Sequence, residues 1–523
     1  MIAAAILVET REPFAAPRPF VQVATVLSSR EDLAPIMSEA GSTFVRWVTP
    51  YPVRIARAGA AIGSPLCEVL SIVLICPILL SVAIWNGFPI IFYDTGAYML
   101  QGLGHIFLAE RSPVYSLFLA AAGARVSLWL VAIAQCAMTA FVITEFARAL
   151  RPMLSLWSLL AIVTLVSIAT GLPWYAAQIE PDFFVALVPL GLYLFAFHGR
   201  ELKVVRLGVL FCVVVLATAA HPSHIGLSAG LILVLALLRF APASWVTAHA
   251  LPRPRLLLAV LSLALAVASV VACNYSFTRQ AFLSRSGAIF LEARMMGDGL
   301  IKPVLDETCP QSGYRLCAYR QKLPTRADTW LWEPWVSPFE KLGGFRKREP
   351  EAAAIVAQSL ARFPLRNAVM ALKDAALQFV WFQTGDGIVP QEWVLNREFK
   401  TAIPQQLSDY DHAYQQEGAI WFLPVNIVHV PIAFLALIAL GLLYRHAVRR
   451  RDWAGMVLPA FVLIALVGNA FVCGVFSGPH GRYQSRIMWL PTLAVVLTVW
   501  PKVEAERRAR SGAKDANISS LAR

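Results

Sequence analysis

The sequence predicts an all-α polytopic membrane protein with about ten transmembrane helices. Of the 523 residues, 58% are hydrophobic and only 15% are charged. Apolar stretches recur that are long enough to cross a hydrocarbon core of ~30 Å. Since unpaired backbone polar groups are costly in lipid, these stretches should be helices. The predicted spans are 66–85, 127–147, 154–173, 183–198, 205–220, 224–240, 256–275, 421–444, 454–475 and 486–500.

Basic residues predict the orientation of these spans, because cytoplasmic loops of membrane proteins are rich in Lys and Arg. With ten spans, every basic cluster falls on the same side, so both termini are predicted to be cytoplasmic. The net charge of +13 is then an orientation signal and predicts no nucleic-acid partner. The clusters are Arg46, Arg54, Arg57; Arg148, Arg151; Arg200, Lys203, Arg206; Arg239, Arg253, Arg255; Arg445, Arg449, Arg450, Arg451; and Lys502, Arg507, Arg508, Arg510.

The same pattern predicts the domain organisation. A cytoplasmic arm (1–65) precedes a transmembrane core (66–275) that contains a first external loop at 86–126. A large external domain (276–420) precedes the last three spans (421–500), and a cytoplasmic tail follows at 501–523. Arginine far outnumbers lysine and alanine is abundant, which fits a GC-rich bacterial genome. The predicted location is therefore the bacterial inner (plasma) membrane, with the external domain in the periplasm.

Two cysteines of the external domain predict a disulfide. Cys309 and Cys317 bracket the short stretch "CPQSGYRLC" on the side where oxidation is permitted. The other cysteines lie in or beside predicted spans, where a cysteine behaves as a small apolar residue.

The first external loop predicts two interfacial helices. "TGAYMLQGLGHIFLA" and "SPVYSLFLAAAGA" are mostly apolar, and each is too short to cross the bilayer. Asp94 comes directly before the first segment, where it has two interpretations: a helix cap or a catalytic acid. Pro113 starts the second segment, a position that tolerates proline.

Three motifs in this layout resemble the GT-C superfamily of membrane glycosyltransferases, which includes protein mannosyltransferases and the aminoarabinose transferases of lipid A. They are "YDTGAY" (Tyr93 to Tyr98), "RSPVYSLFL" (Arg111 to Leu119) and "EPDFF" (Glu180 to Phe184). The resemblance covers the first four spans and, beyond them, only the general architecture. It implies transfer of a sugar from a polyprenyl-phosphate donor to an envelope glycan, lipid or protein acceptor. The family often has two acids in its first loop, where this chain has Asp94 alone, so a divalent metal cofactor is left open.

Sugar transfer from a lipid phosphate needs a base for the acceptor hydroxyl and stabilisation of the departing phosphate. Because the donor's lipid tail stays in the bilayer, the site must lie at the membrane surface. Asp94 is the candidate catalytic base. Glu180 and Asp182 either assist Asp94 or bind acceptor hydroxyls; the alternative is a solvated loop acid beside a span.

Cations on the external side are the candidate phosphate ligands, since the guanidinium fork can hold two phosphate oxygens. Arg111 is one, and the last external turn, "SGPHGRYQSR", supplies the others. Substrate binding there is centred on Arg482; the alternative is a snorkelling arginine in a tight turn. The candidate binding residues of this turn are His480, Arg482, Tyr483 and Arg486.

"HPSHIG" contributes two further candidates, His221 and His224. Two ligands do not define a metal site, so the favoured role is hydrogen bonding to substrate or to the loop backbone.

Two other functional classes are alternatives to this interpretation. An O-antigen ligase or polymerase would build its site from "HPSHIG" and "GPHGRYQSR" without Asp94. A transporter or flippase would place ionisable residues at mid-membrane depth, where the predicted spans carry few. The glycosyltransferase interpretation predicts that Asp94 and Arg482 face one water-accessible cavity.

Overall fold

The computed structural model of the protein describes residues 65–242, 244, 246 and 251–500, and only the backbone of 65, 66, 392–394 and 396. The predicted cytoplasmic arm, apart from Pro65, and the predicted tail at 501–523 lie outside the described residues. Within them every regular element is a helix, and one isolated parallel bridge joins Ile90 to Gln178. Seven helices are long and apolar enough to cross a membrane, so the chain is an all-α multi-pass membrane protein.

The helices up to the external domain are bounded as follows. They are α1 (Pro65–Asn86), α2 (Thr95–Gly104), α3 (Pro113–Ala121), α4 (Leu128–Leu150), α5 (Leu156–Ala169), α6 (Leu172–Ala176), α7 (Phe184–Tyr193), α8 (Val204–Ala219), α9 (Pro222–Phe240) and α10 (Leu257–Thr278). A 3₁₀ turn (Pro181–Phe183) precedes α7 and a π-helical segment (Leu194–His198) follows it, so that 181–198 is one continuous apolar segment.

The remaining helices complete the chain. They are α11 (Gly287–Gly297), α12 (Ile301–Thr308), α13 (Ala327–Trp332), α14 (Gly344–Lys347), α15 (Glu349–Arg362), α16 (Pro364–Val380), α17 (Glu392–Ala402), α18 (Leu407–Asp411), α19 (Phe422–Arg449), α20 (Trp453–Phe476), α21 (Gly481–Ser485) and a helical segment at 489–500, α22.

Polar side chains start several long helices where the sequence turns apolar. The Ser127 hydroxyl accepts a hydrogen bond from the Trp129 amide and starts α4. Asp452 accepts one from the Gly455 amide at 2.9 Å and starts α20. These caps satisfy amides that have no partner within the helix, a requirement that is stricter in lipid than in water.

The predicted count of ten spans is only partly matched. The seven candidate spans are α1, α4, the 181–198 segment, α9, α10, α19 and α20. The predicted spans at 154–173 and 205–220 correspond to α5 and α8, which are shorter apolar helices, and the predicted span at 486–500 corresponds to the helical segment α22. The short helices α2 and α3 form at the two segments predicted to be interfacial, and Pro113 occupies the first turn of α3.

Ion pairs join three helices at the end of the bundle away from Asp94. Glu68 of α1 pairs with Arg206 of α8 at 2.8 Å and lies 3.7 Å from Arg148 of α4, which also pairs with Glu145. These arginines belong to the clusters whose position predicts a cytoplasmic location.

The segment predicted as one external domain consists of two structurally different parts. Residues 287–363 build a hydrophobic core of their own around Trp330, with the Arg348–Glu292 ion pair buried beside it. Cys309 and Cys317 form a disulfide in this part, with Cα atoms 5.7 Å apart. Residues from Pro364 onward instead pack on the main helix bundle: α16 lies along α20, and α17 packs on α2.

Candidate functional site

A short backbone contact holds the first two loops of the site together. Ile90 accepts a hydrogen bond from the Ile179 amide at 2.8 Å and donates its own amide to the Ala177 carbonyl. The Thr95 hydroxyl accepts from the Phe92 amide and donates to the Ile179 carbonyl at 2.9 Å. These bonds bring the chain around Asp94 beside the chain that leads into Glu180.

Asp94 precedes α2, but its carboxylate makes no capping hydrogen bond to the helix. Its Oδ1 accepts instead from the Arg111 Nη2 at 2.5 Å, so the helix-cap interpretation is wrong. The Arg111 guanidinium carbon also lies 5.5 Å from the ring centroid of Trp332 and 6.0 Å from that of Tyr98. The Asp94 side chain stays 20% exposed, so small molecules can reach it while Arg111 fixes its orientation.

Glu180 and Asp182 are buried, with 2% and 3% of their surface exposed, so the interpretation as solvated loop acids is wrong. Glu180 Oε2 has no hydrogen-bond partner among the described residues. Burial raises the pKa of Glu180 well above its usual range, and the carboxylates of Asp94 and Asp182 raise it further. A buried carboxyl without a partner beside two other acids is costly, and such groups concentrate at functional sites.

Asp182 links the second loop to the last one. Its Oδ1 accepts a hydrogen bond from Arg486, and its Oδ2 lies 3.9 Å from Nη1 of Arg482. The Arg486 side chain is fully buried and also donates to the Ser223 hydroxyl at 3.3 Å. Arg486 is therefore not a snorkelling residue of the membrane surface; it is a buried positive charge compensated by Asp182.

Arg482 occupies a different environment. Its guanidinium carbon lies 4.1 Å from the ring centroid of Phe92 and 4.8 Å from that of Tyr483, distances typical of cation–π contacts. Its side chain is 16% exposed, and its backbone amide donates to Asp386 Oδ2 at 3.1 Å. The snorkelling interpretation does not hold here either, because aromatic faces of the protein enclose the guanidinium.

Arg482 interacts electrostatically with Asp94 and Glu180 as well as with Asp182. The first, second and last loops on this side of the bundle thus contribute to one charged cluster, although they come from opposite ends of the chain. We call this cluster the loop-charge site, defined by Asp94, Arg111, Glu180, Asp182, Arg482 and Arg486.

The two histidines of "HPSHIG" make local hydrogen bonds. His221 Nδ1 accepts from the Ser223 amide at 3.2 Å and contacts the Ser223 hydroxyl at 2.7 Å. His224 Nδ1 donates to the Ala217 carbonyl at 2.8 Å. Both therefore bond backbone groups at helix ends, His221 in the first turn of α9 and His224 in the last turn of α8, and Ser223 connects His221 to Arg486.

His480 and Tyr483 hold the last turn in place. The His480 amide and carbonyl both bond the Gln378 side chain, at 2.9 and 2.8 Å. The imidazole lies 3.5 Å from Asp328 and 3.9 Å from Asp386. The Tyr483 hydroxyl contacts Ser477 at 3.1 Å and accepts from Arg482 at 3.3 Å.

Several residues that shape the site were not predicted from the sequence. Phe92 and Gln378 have ordinary neighbours in sequence, and only the fold places them against Arg482 and His480. Asp386 carried a usable signal: Gly385 and Gly387 flank it, both at positive φ, in the tight loop "TGDG". Glycines that permit such backbone angles around an acid indicate a shaped loop.

No group of three or more His, Cys, Asp or Glu side chains is placed to hold a metal ion within the described part of the chain. Among the described residues, Glu180 Oε2 and Asp182 Oδ2 have no hydrogen-bond partner, while Oδ1 of Asp94 and Oδ1 of Asp182 already bind arginines.

A mostly apolar cavity lies beside the site. Its lining includes Glu110, Arg111, Pro113, Ile225, Val270 and Phe282. Apolar walls with a few polar groups are typical of ligand-binding cavities.

Fold and site together define a multi-pass α-helical membrane protein with a buried cluster of carboxylates and arginines at one end of its helices. No protein-family model, curated protein or solved structure matches the chain.

Proposed function

We propose that the chain is a GT-C-type membrane glycosyltransferase. It moves a sugar from a polyprenyl-phosphate donor to a glycan, lipid or protein acceptor of the cell envelope, on the external face of a bacterial inner membrane. The observation that carries the proposal is the loop-charge site, in which acids and arginines from three separate loops meet. The ten-span arrangement with cytoplasmic termini belongs to the same proposal, because it puts this site outside.

The reaction requires a carboxylate that solvent can reach and a cation for the leaving phosphate. Asp94 takes the proton of the acceptor hydroxyl as the acceptor oxygen bonds the anomeric carbon. The bond from that carbon to the phosphate oxygen breaks, and the lipid phosphate leaves with the electron pair. Arg111 orients Asp94 through their 2.5 Å hydrogen bond.

Arg482 is the phosphate ligand of this proposal. Arg486 is fully buried and already bonded to Asp182 and Ser223, so its role is to position Asp182. Arg482 has a longer contact to Asp182 and keeps part of its surface exposed. Phe92 and Tyr483 fix the plane of its guanidinium, which reduces the ordering cost of a two-oxygen contact with phosphate.

The apolar cavity beside Arg111 supports a lipid-linked donor. Its wall runs from Arg111 to Ile225 and Val270, on helices α9 and α10. A polyprenyl chain held there would present its phosphate toward the arginines of the site. Burial of an isoprenoid tail contributes about 25 cal/mol per Å² of apolar surface removed from water.

The test is transfer of labelled sugar from a polyprenyl-phosphate donor pool in membranes that carry equal amounts of each protein. Asp94→Asn should lower transfer by about 10²–10⁴-fold, the usual contribution of a general base. Arg482→Ala should also abolish most transfer. The matched controls are Asp306→Asn and Arg362→Ala, since both residues belong to exposed ion pairs away from the site. Full transfer by Asp94→Asn would contradict the proposal.

One contact favours a second candidate, an O-antigen ligase or polymerase. Arg486 bonds Ser223, which joins the "HPSHIG" and "GPHGRYQSR" segments expected of that site. The same assay separates the two: loss of envelope-glycan ligation in Arg482→Ala, with Asp94→Asn unaffected, would favour the second candidate. The interaction of Asp94 with Arg482 supports the first.

A further inference from the structure

Helix α16 has an inverted distribution of side chains. The residues it buries are polar: Asn367, Asp374 and Gln378. The large residues it exposes are mainly apolar: Leu365, Val369, Leu372, Leu377 and Val380, with Arg366 and Lys373 as charged exceptions. A helix on the surface of a water-soluble domain shows the opposite arrangement, with its apolar face against the protein.

α16 packs lengthwise on the long apolar helix α20. A Cβ atom added to Gly474 of α20 would come within 2.7 Å of the Asp374 carbonyl oxygen, so the two backbones are in direct contact there. Small residues that allow such close approach are typical of helix pairs inside membranes.

The chain after α16 shows how deep the helix reaches. It returns along α19 from Phe382 to Thr384. The Thr384 amide bonds Asn426, and the Thr384 hydroxyl bonds His429 at 3.0 Å. The ring of Phe382 lies 5.0 Å from that of Phe434, centroid to centroid. Gly385 lies against Phe422, the first residue of α19, and Phe382 is three residues earlier, so its backbone is at most about 10 Å further along α19.

We infer that the second half of α16 is a re-entrant membrane helix, inserted from the side of the loop-charge site, with Leu377 and Val380 against lipid acyl chains. α19 is itself a candidate membrane span, and a depth of about 10 Å is about one third of a ~30 Å hydrocarbon core. The inference does not depend on the proposed function.

Continuity with neighbouring surfaces identifies acyl chains as the partner. α19 exposes Leu435 and Ile438, and α20 exposes Val467 and Phe471, all on candidate spans. Residues 375–385 carry no charge, whereas Lys373 precedes them and can extend its amine to the headgroup level. The exposed apolar face of α16 therefore continues the lipid-facing surface of the bundle.

The re-entrant segment and the loop after it also form hydrogen bonds that hold the last turn of the site in place. Gln378 makes both backbone hydrogen bonds to His480, and Asp386 accepts from the Arg482 amide. Asn469 donates to the Tyr483 carbonyl at 2.6 Å, about 10 Å below the end of α20 at 1.5 Å per residue. Insertion of α16 thus holds the Arg482 turn below the ends of the spans.

The test compares single-cysteine positions on full-length protein in lipid vesicles. Leu377→Cys and Val380→Cys are both at residues 44% exposed, and Leu360→Cys, on α15, is the matched control at 48%. A charged, membrane-impermeant maleimide is added, and the modified site is read by peptide mass spectrometry, so that native cysteines do not interfere. Only material that elutes like wild type in size-exclusion chromatography is compared.

We expect Leu377→Cys and Val380→Cys to react at least tenfold more slowly than Leu360→Cys. A second measurement uses wild-type protein in vesicles of phosphatidylcholine with a diazirine in the acyl chain. After irradiation, the peptide with Leu377 and Val380 should carry lipid adducts, and the peptide with Leu360 should carry none. Less than a tenfold difference in labelling, or no lipid adduct on the first peptide, overturns the inference.

Discussion

Arg111 donates a 2.5 Å hydrogen bond to Asp94, and this bond, not a helix cap, orients the acid at the start of α2. Both side chains are mostly buried, at 9% and 20% exposure, so neither charge is well solvated without the other.

Arg111→Ala should therefore destabilise the protein by about 2 kcal/mol, less than a fully buried pair because Asp94 retains some contact with solvent. The measurement is the thermal unfolding midpoint in detergent. Arg362→Ala is the control, because its pair with Glu307 is about half exposed, and it should change stability by ~0.5 kcal/mol or less. Equal midpoints for the two variants would argue against an orienting role for Arg111.

The buried pair of Asp182 and Arg486 predicts strong non-additivity. Arg486→Met leaves the Asp182 carboxylate with only the distant Arg482, and Asp182→Asn leaves Arg486 charged in a buried position. Each single change should cost about 3–5 kcal/mol. The double variant removes both charges and should recover part of this loss. The measurement is a double-mutant cycle of unfolding free energies for wild type, the two single variants and the double variant. Additive losses would mean that the two residues do not compensate each other.

Glu180 predicts a pH-dependent stability. Its pKa is raised in the folded protein by burial and by Asp94 and Asp182, so the folded state binds a proton that the unfolded state has already lost. The contribution of Glu180 protonation to the free energy of unfolding is complete below the usual carboxyl pKa. It is lost as the pH rises through the raised pKa of the folded protein. Glu180→Gln removes this titration, so the variant should gain stability relative to wild type as the pH increases across that window. An unchanged difference from pH 4 to pH 8 would show that Glu180 does not titrate in this way.

Gly474 allows α16 and α20 to approach closely, so a larger residue there should separate the two helices. Gly474→Ala places a methyl group against the Asp374 carbonyl, which is backbone and cannot turn aside. The unfolding midpoint should fall, and His480 should lose its Gln378 support because the two helices move apart. Gly441→Ala in α19 is the control, since nothing lies within 4 Å of its added Cβ; it should be neutral or slightly stabilising. Similar midpoints for the two alanine variants would contradict the contact.

Hydropathy was sufficient to predict the helical membrane class and the two short helices after α1, because length and apolar content decide both. The site candidates are charged residues on the side where the positive-inside rule predicts few cations. Arg482 lies 3.9 Å from Asp182 and interacts electrostatically with Asp94 and Glu180. Gln378 was not predicted because a glutamine in a helical sequence does not indicate which residue it will bond. The packing of α16 was not predicted for a related reason. An amphipathic pattern does not indicate which face of a helix packs against protein and which contacts lipid.

The backbone contact between Ile90 and Ile179 also has a consequence for biosynthesis. Both segments of this contact are made long before the last turn, so the loops of Asp94 and Glu180 can join while translation continues. Arg482 and Arg486 are made about 300 residues after Glu180. Asp182 is therefore without Arg482 and Arg486 until α20 and the following turn have been made, whereas Asp94 has Arg111 from an early stage. Assembly of the site is in this way tied to synthesis of the last turn, and a product truncated before residue 482 would lack two of the three arginines of the loop-charge site.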